Sequence, residues 1–377
     1  MTTVAIPTEK RPGERRVALT PDAVARLTAL SLDVLVESGA GTLANASDDA
    51  FREAGATVVN GSVIGAAEVV FSVNSPTVDQ LGQLKPGALL LSFLAPLSSL
   101  EQVAAARDAR VTWLSMELVP RISRAQSMDA LSSQALVAGY RCALVAADRL
   151  PKFFPLLMTA AGTVKPAQVV VLGAGVAGLQ AIATARRLGA VVQAYDVRAA
   201  AADEIRSMGA KFIDLDLDSL EGTGGYAREM NEDRATRQRE LLAPYIAAAD
   251  ALITTAAIPG RPAPLLVTRE MVEAMRPGSV VVDLAAESGG NVEGSVPGGE
   301  VVIGGATVWG ASNVPSQMPA ASSRLYASNV VTLLQLMVKE GEVVIDFDDE
   351  IVDGACVTHS GEVRFGPARE ALGGGDK

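Results

Sequence analysis

The amino-acid sequence predicts an α/β protein made of two doubly wound parallel-sheet domains flanking a cleft, and three observations carry that expectation. Short β-branched runs alternate with amphipathic stretches of helical length, the pattern of parallel strands covered by helices on both faces. At 377 residues the chain exceeds one ordinary domain and fits two. A faint internal repeat also links the halves. "LKPGALLLSF" (Leu84 to Phe93) shares with "MRPGSVVVDL" (Met275 to Leu284) a basic helix end, a Pro-Gly turn and an apolar strand. Upstream of each, "AAEVVFSV" (Ala66 to Val73) is mirrored by "AAADALITT" (Ala247 to Thr255).

Taken in order, the first half offers strands in "TVAIP", "DVLVES", "EVVFSV", "ALLLSF" and "VTWLSM", with a helix in "TPDAVARLTAL" between the first two. The second half offers "QVVVLG", the helix "VAGLQAIATARRLG", then "VVQAYD", "ALITT", "SVVVDLA" and "ATVWG". A long helix is expected in "SSRLYASNVVTLLQLMVKE" (Ser322 to Glu340) after the second sheet is complete. It returns the chain to the first domain. The expected division is therefore 1–134 with 320–377, and 135–319.

Hydrophobic residues make up 49% and charged residues 20%, enough for a buried core in each half and too apolar for a disordered chain. The net charge of −11 repels phosphate backbones and acidic lipid, so nucleic acid is excluded as an expected partner. Cys142 and Cys356 lie far apart, with no Cys or His at metal-ligand spacing, which fits a reducing compartment and no bound metal. The opening "MTTVAIPTEK" lacks the pattern of a secretory signal. Between Lys165 and Arg186 run 20 uncharged residues, about the length of a membrane span, but three glycines interrupt them and strand, turn and helix are expected instead.

Within that run, Gly173, Gly175 and Gly178 form G-x-G-x-x-G between a strand and a helix. The first glycine permits a tight turn, the second lets a pyrophosphate approach the backbone, and the third lets helix and strand pack closely. The helix starting near Val176 adds free N–H groups and its positive dipole end. Asp196 closes the next strand at close to the ~20-residue spacing at which a Rossmann-like dinucleotide site places its ribose acceptor. An acid there favours NAD(H) over NADP(H), because a 2′-phosphate about 4 Å away would cost as much as ~4 kcal/mol. Arg198, two positions on, can either accommodate such a phosphate or pair with Asp196. "GTGGYARE" (Gly222 to Glu229) is either a plain surface loop or a lid in which Tyr226 closes over nucleotide. "TTAAIPGRPAP" (Thr254 to Pro264) follows a strand where ligands of open α/β sheets bind.

The sole histidine, His359, reads as a surface turn residue, so the usual general acid/base of substrate dehydrogenation is missing. Hydride exchange between two nicotinamide rings needs no proton transfer, only positioning. The polar junction "PRISRAQSMDALSSQ" (Pro120 to Gln134) is either a capped helix start, with Asp129 or Ser127 accepting backbone N–H groups, or a ligand-facing loop.

That junction, with "VLGAGVAGLQAIATARRLGA", "YDVRAA", "GGYAREM", "TTAAIPGRPAP", "DLAAESGGN" and "IDFDDE", resembles the NAD(H)-binding domain I of proton-translocating nicotinamide nucleotide transhydrogenase over nearly the whole chain. The fold is shared with alanine dehydrogenase, which has a Lys and a His where this sequence has Ser72 and Phe93. The resemblance implies that Arg121, Asp129 and Ser132, with Ile122 and Ser123 beside them, hold the nicotinamide carboxamide and ribose. Gln126 is implied to reach toward NADP(H) carried by a partner. Further nucleotide contacts are implied at Val176, Asp196, Val197, Arg198, Gly225, Tyr226, Gln238 and Ala257. The family also implies a homodimer on the cytoplasmic face of a complex whose membrane subunit and NADP(H)-binding beta subunit are separate polypeptides. An alanine dehydrogenase-like enzyme and a non-catalytic NAD-sensing module are the competing expectations.

Overall fold

In the computed structural model, which describes residues 2–217, 232–258 and 260–373, the chain divides into two compact units. One holds the residues up to Gln134 and those from Ser316 onward; the other is Ala135–Pro315. The first stretch supplies β1 (Thr3–Ile6), α1 (Pro21–Thr28), β2 (Asp33–Glu37), α2 (Asp48–Glu53), β3 (Thr57–Val59), β4 (Val69–Phe71), α3 (Val78–Leu81), β5 (Leu89–Ser92), α4 (Leu100–Asp108) and β6 (Thr112–Ser115). A 3₁₀ turn over Ser123–Met128 then leads into α5 (Ala130–Arg149), within which the boundary between the units falls. Local chemistry agrees with these starts and stops: α1 opens on Pro21 with Asp22 in its first turn and carries Arg26 in its last, matching the helix dipole at both ends.

The second unit adds β7 (Leu157–Thr159), β8 (Gly162–Val164), β9 (Gln168–Leu172), α6 (Val176–Arg187), β10 (Val191–Tyr195), α7 (Ala201–Ser207), β11 (Lys211–Phe212), α8 (Glu232–Ala248), β12 (Ala251–Thr254), α9 (Arg269–Glu273), β13 (Val280–Asp283), β14 (Glu300–Ile303) and β15 (Ala306–Gly310). The returning chain forms α10 (Pro319–Gln335), β16 (Val338–Lys339), β17 (Glu342–Val343), α11 (Glu350–Ala355), β18 (Cys356–His359), β19 (Glu362–Val363) and α12 (Gly366–Ala371).

Each unit is built on one sheet. The orders are β3-β2-β1-β4-β5-β6-β18-β19 and β11-β10-β9-β12-β13-β15-β14. All neighbours are parallel except at one edge of each sheet, where β18, β19 and β14 run antiparallel to their neighbours. In both sheets the first strand sits between the second and the fourth, so the repeat seen in the sequence is a repeat of topology. Its two members supply the fourth and fifth strands, β4 and β5 in one unit and β12 and β13 in the other.

Alternate residues of these strands enter different cores, which is why the runs are apolar at every position. Val4, Ile6, Val69 and Phe71 belong to one cluster of the first unit, and Ala5 and Val70 to the other. Val169, Val171 and Ile253 lie on one face of the second sheet, Val170, Leu172 and Leu252 on its opposite face.

Two local expectations differ from what is observed. The helix expected to reach Glu340 ends at Gln335, because Gly341, at φ +81°, turns the chain into the β16–β17 hairpin. His359 is the last residue of β18 and not a free turn residue: its Nδ1 lies 3.0 Å from the Thr112 hydroxyl and its ring meets Phe347 edge-on. The uncharged run 166–185 is β9, turn and α6, as expected. A different helix, α5, has the length and hydropathy of a membrane crossing, and half of it is buried inside the protein.

Candidate functional site

The order of the second sheet reverses between β9 and β12, and the chain segments leaving the carboxyl ends of these strands define its crevice. Each glycine after β9 has a separate geometric reason. Gly173 sits at φ +96°, and a Cβ there would lie 2.8 Å from the Thr255 hydroxyl. A Cβ on Gly178 would stand 1.9 Å from the Gly173 carbonyl oxygen, so only glycine lets α6 start this close to the strand. Gly175 differs, because a Cβ there would meet nothing within 4 Å. It is exposed, as is Val176, the first residue of α6. The turn is thus tight wherever it touches protein and open where a phosphate would approach the helix N-terminus. Gly139 of α5 adds a constraint the sequence did not announce: its missing Cβ would fall 2.0 Å from the Ala177 carbonyl oxygen, so α5 packs directly against the start of α6.

Asp196 lies one residue beyond β10. Its carboxylate accepts from the Ala174 N–H (2.7 Å), the Arg198 N–H (2.9 Å) and the Arg198 guanidinium through Nε (2.9 Å) and Nη2 (3.1 Å). Of the two roles open to Arg198, pairing with the acid is the one observed, and its Nη2 also donates to the Ala174 carbonyl. The acid therefore couples the glycine turn to the end of the next strand. Val197 is half-buried beside it. Gln238 is buried, and its Oε1 accepts from the Tyr195 hydroxyl, whose ionisation burial pushes up to about 12. Across the crevice, Thr255 donates from its backbone N–H to the Leu172 carbonyl and from its hydroxyl to the Gly173 carbonyl, and Ala257 beyond it is exposed. Gly225 and Tyr226, with the glycine-flanked segment considered as a lid, lie outside the described residues.

The junction before α5 alternates buried anchors with exposed polar residues. Ala125 and Met128 are buried in the core of the first unit, Ile122 packs against it, and Arg121, Ser123 and Gln126 are exposed. Asp129 caps α5, accepting from the Ser132 N–H (2.9 Å) and hydroxyl (2.6 Å). The capped-start expectation is thereby met at Asp129, while Ser127 contributes through its carbonyl, which accepts from Asn329 of α10. Arg124 makes a bidentate pair with Asp349, both bonds 2.7 Å, tying the junction to the "IDFDDE" segment.

At the corresponding reversal of the first sheet, between β1 and β4, the Glu9 carboxylate accepts from the backbone N–H groups of Val73 and Asn74 and from the Asn74 amide, and burial raises its pKa. Beside it, Glu14 forms a buried bidentate pair with Arg16 at 2.8 and 2.7 Å. Burial works against the Glu14 charge, but the Arg16 hydrogen bonds and charge, with Asn74, hold its pKa down at about 2. Ser72 and Phe93 are absorbed into packing: the Ser72 carbonyl accepts from the Tyr326 hydroxyl (2.7 Å), and the Phe93 ring lies against that of Tyr326.

Sequence reasoning assigned no role to the pair that organises the rear of the crevice, Asp283 and Asn291, both fully buried. The "DLAAESGGN" segment that contains them was the signal that could have pointed there.

Comparison with known proteins agrees with this architecture. Residues 5–138 match the family described as alanine dehydrogenase/PNT, N-terminal domain, and residues 142–366 match alanine dehydrogenase/PNT, C-terminal domain. The chain is 47% identical over 372 residues to an NAD(P) transhydrogenase subunit alpha polypeptide of Rhodospirillum rubrum, covering 96% of this chain and 97% of that one. The crystal structure of transhydrogenase from Sinorhizobium meliloti superposes with a TM-score of 0.85 at 44% identity, covering 96% of this chain and 98% of that one. Alanine dehydrogenase of Mycobacterium tuberculosis is more distant, 33% identical over 299 residues, 78% of this chain and 75% of that one. With both halves of the chain matched, it belongs to the alanine dehydrogenase/PNT family and is a relative of NAD(P) transhydrogenase alpha subunits.

Proposed function

We propose that this chain is the NAD(H)-binding component of a proton-translocating transhydrogenase, acting with NADP(H) held on a partner subunit. The observation that carries the reading is the glycine turn, closed at Gly173 and Gly178, open at Gly175, and bonded through Ala174 to an acid at the end of the next strand. This arrangement fits a dinucleotide whose ribose is recognised by Asp196 and whose pyrophosphate rests on the N–H groups at the start of α6. Val197, Arg198, Gln238 and Ala257, with Gly225 and Tyr226, complete the proposed nucleotide contacts.

When bound, the reduced nicotinamide supplies a hydride. In this proposal Arg121, Ile122, Ser123, Asp129 and Ser132 hold its carboxamide and ribose, and Gln126 faces the second nucleotide. Capping α5 does not disqualify Asp129, because an ionised carboxylate has about four acceptor positions and Ser132 uses two. Membrane spans and the NADP(H) site are assigned to partner subunits, with this chain a peripheral homodimer on the cytoplasmic face. The isolated β7–β8 hairpin supports self-association, since Leu156 and Met158 are 54% and 80% exposed beside an equally bare Phe153.

NADH should enhance its fluorescence on binding the chain alone, and addition of an NADP(H)-binding partner should produce transfer to a nicotinamide analogue. Binding without transfer would make the chain a sensor. Turnover of pyruvate and ammonia with NADH would make it an amino-acid dehydrogenase, and none is expected.

A further inference from the structure

Where β12 ends, the sheet splits, and the backbone that continues past Thr255 loses its strand neighbours. Asn291 replaces them. Its Oδ1 accepts from the Ala256 N–H (3.0 Å), and its Nδ2 donates to the carbonyls of Ala256 and Pro264, both at 2.8 Å. One side-chain amide thus satisfies both backbone groups of Ala256 and joins the two ends of the segment 256–264. The amide has a single sensible orientation, because its oxygen faces an N–H and its nitrogen faces two carbonyls. Asn291 is itself held from behind. The Asp283 carboxylate accepts from its backbone N–H at 3.2 and 3.1 Å, and Gly290, at φ +81°, leaves room for this because a Cβ there would sit 2.9 Å from the carboxylate.

We infer that Asn291 is a positioning residue for the nucleotide: it does not touch the ligand but fixes the Ala256–Ala257 backbone that forms the β12 wall of the crevice. The inference rests on the nucleotide reading above. Two features direct it toward binding and away from plain stability. Asn291 is fully buried, so it acts only through what it holds. The residue next to its clamp on the other side, Thr255, bonds to the Gly173 carbonyl of the glycine turn, so the same short segment links the clamp to the turn.

The test uses the intact chain with NADH as probe. Asn291→Ala removes all three side-chain bonds, and about tenfold weaker NADH binding is expected, together with about tenfold faster hydrogen exchange of the Ala256 amide in the ligand-free protein. Asn291→Asp supplies a finer readout. Protonated, that carboxyl accepts from Ala256 and donates to one carbonyl; ionised, it faces the two carbonyl oxygens of Ala256 and Pro264. NADH affinity of this variant should therefore recover toward the wild-type value as pH falls from about 8 to about 6, the range into which burial beside acceptors lifts a carboxyl, measured where unfolding transitions show the protein fully folded, while wild-type affinity stays flat. An Asn291→Ala variant with NADH affinity within twofold of wild type, or one that loses affinity without faster Ala256 exchange, or an Asn291→Asp variant whose affinity does not change with pH, overturns the positioning role. Failure of the wild-type chain itself to bind NADH overturns the nucleotide reading instead.

Discussion

Replacing Asp196 by Asn is the most informative change at the crevice, because it removes a charge while keeping the shape. The carboxylate now holds four donors, from Ala174 and Arg198. An Asn retains one acceptor oxygen, so the guanidinium loses its ion pair and the ribose loses its charged acceptor. A hydrogen bond to a charged group contributes about 1.5–3 kcal/mol against about 0.5–1.5 for a neutral one, so NADH binding should weaken by ~1–1.5 kcal/mol, about tenfold. For NADPH the sign reverses. Repulsion between the acid and a 2′-phosphate, up to ~4 kcal/mol at about 4 Å and an effective dielectric of about 20, disappears, and Arg198, no longer ion-paired to residue 196, can attract the phosphate. Even with half of that repulsion screened, the preference for NADH should shift by at least ~3 kcal/mol, a factor of more than about 100. Titration of reduced-nicotinamide fluorescence with each nucleotide measures the two Kd values. If both affinities fall equally, or neither changes, Asp196 does not read the ribose and the assignment fails.

Gly178→Ala should place a methyl group 1.9 Å from the Gly173 carbonyl oxygen, costing ~1–3 kcal/mol of stability in a thermal melt and lowering NADH affinity by displacing the start of α6. Gln126→Ala, at an exposed position, should leave melting temperature and NADH affinity unchanged yet slow transfer to a partner-held acceptor; a loss of NADH binding would reassign Gln126 to the first nucleotide. Glu14→Gln should cost about 3–5 kcal/mol in denaturant unfolding, because the buried Arg16 guanidinium would lose the carboxylate that accepts two of its charged hydrogen bonds. The same carboxylate shapes the acid limb. Its folded pKa of about 2 lies below the ordinary 4.5, so its contribution is complete above about pH 4.5 and is lost as pH falls toward 2. Glu9 acts in the opposite sense: with its pKa raised by burial, its contribution is present below 4.5 and fades as pH rises through the folded value. Removing Glu14 should flatten the loss of stability on acidification, as read by unfolding at about pH 5 and about pH 3.

The parallel strands were legible because burial on both faces demands apolar residues without interruption, as in "VVVLG" and "VVVDL", and a repeat of strand order left its trace in the Pro-Gly turns before β5 and β13. The antiparallel margins were not. β19 at the edge and β18 inside it are short strands with mixed sequence, and the pairing of β18 with β6 depends on contacts from a distant part of the chain. The glycine motif and Asp196 could be read because each glycine answers a local steric demand. Asn291 could not, since a buried amide acquires meaning only from the Ala256 and Pro264 groups that folding brings to it. The polar junction at Arg121 to Ser132 fell between these cases. Its capping of α5 follows from local rules, whereas the outward facing of Arg121, Ser123 and Gln126 depends on which neighbours, Ala125 and Met128, the core of the first unit accepts.

Direct passage of hydride from one nicotinamide to another can be followed with deuterium. The chain, mixed with an NADP(H)-binding transhydrogenase subunit in ordinary water and supplied with NADH deuterated at the transferred C4 position, should yield NADPH that retains the label quantitatively, at a rate unaffected by a solvent change to heavy water. Unlabelled NADPH, or a rate that falls in heavy water, would mean that a proton-exchanging group intervenes, and the account would be wrong at its centre.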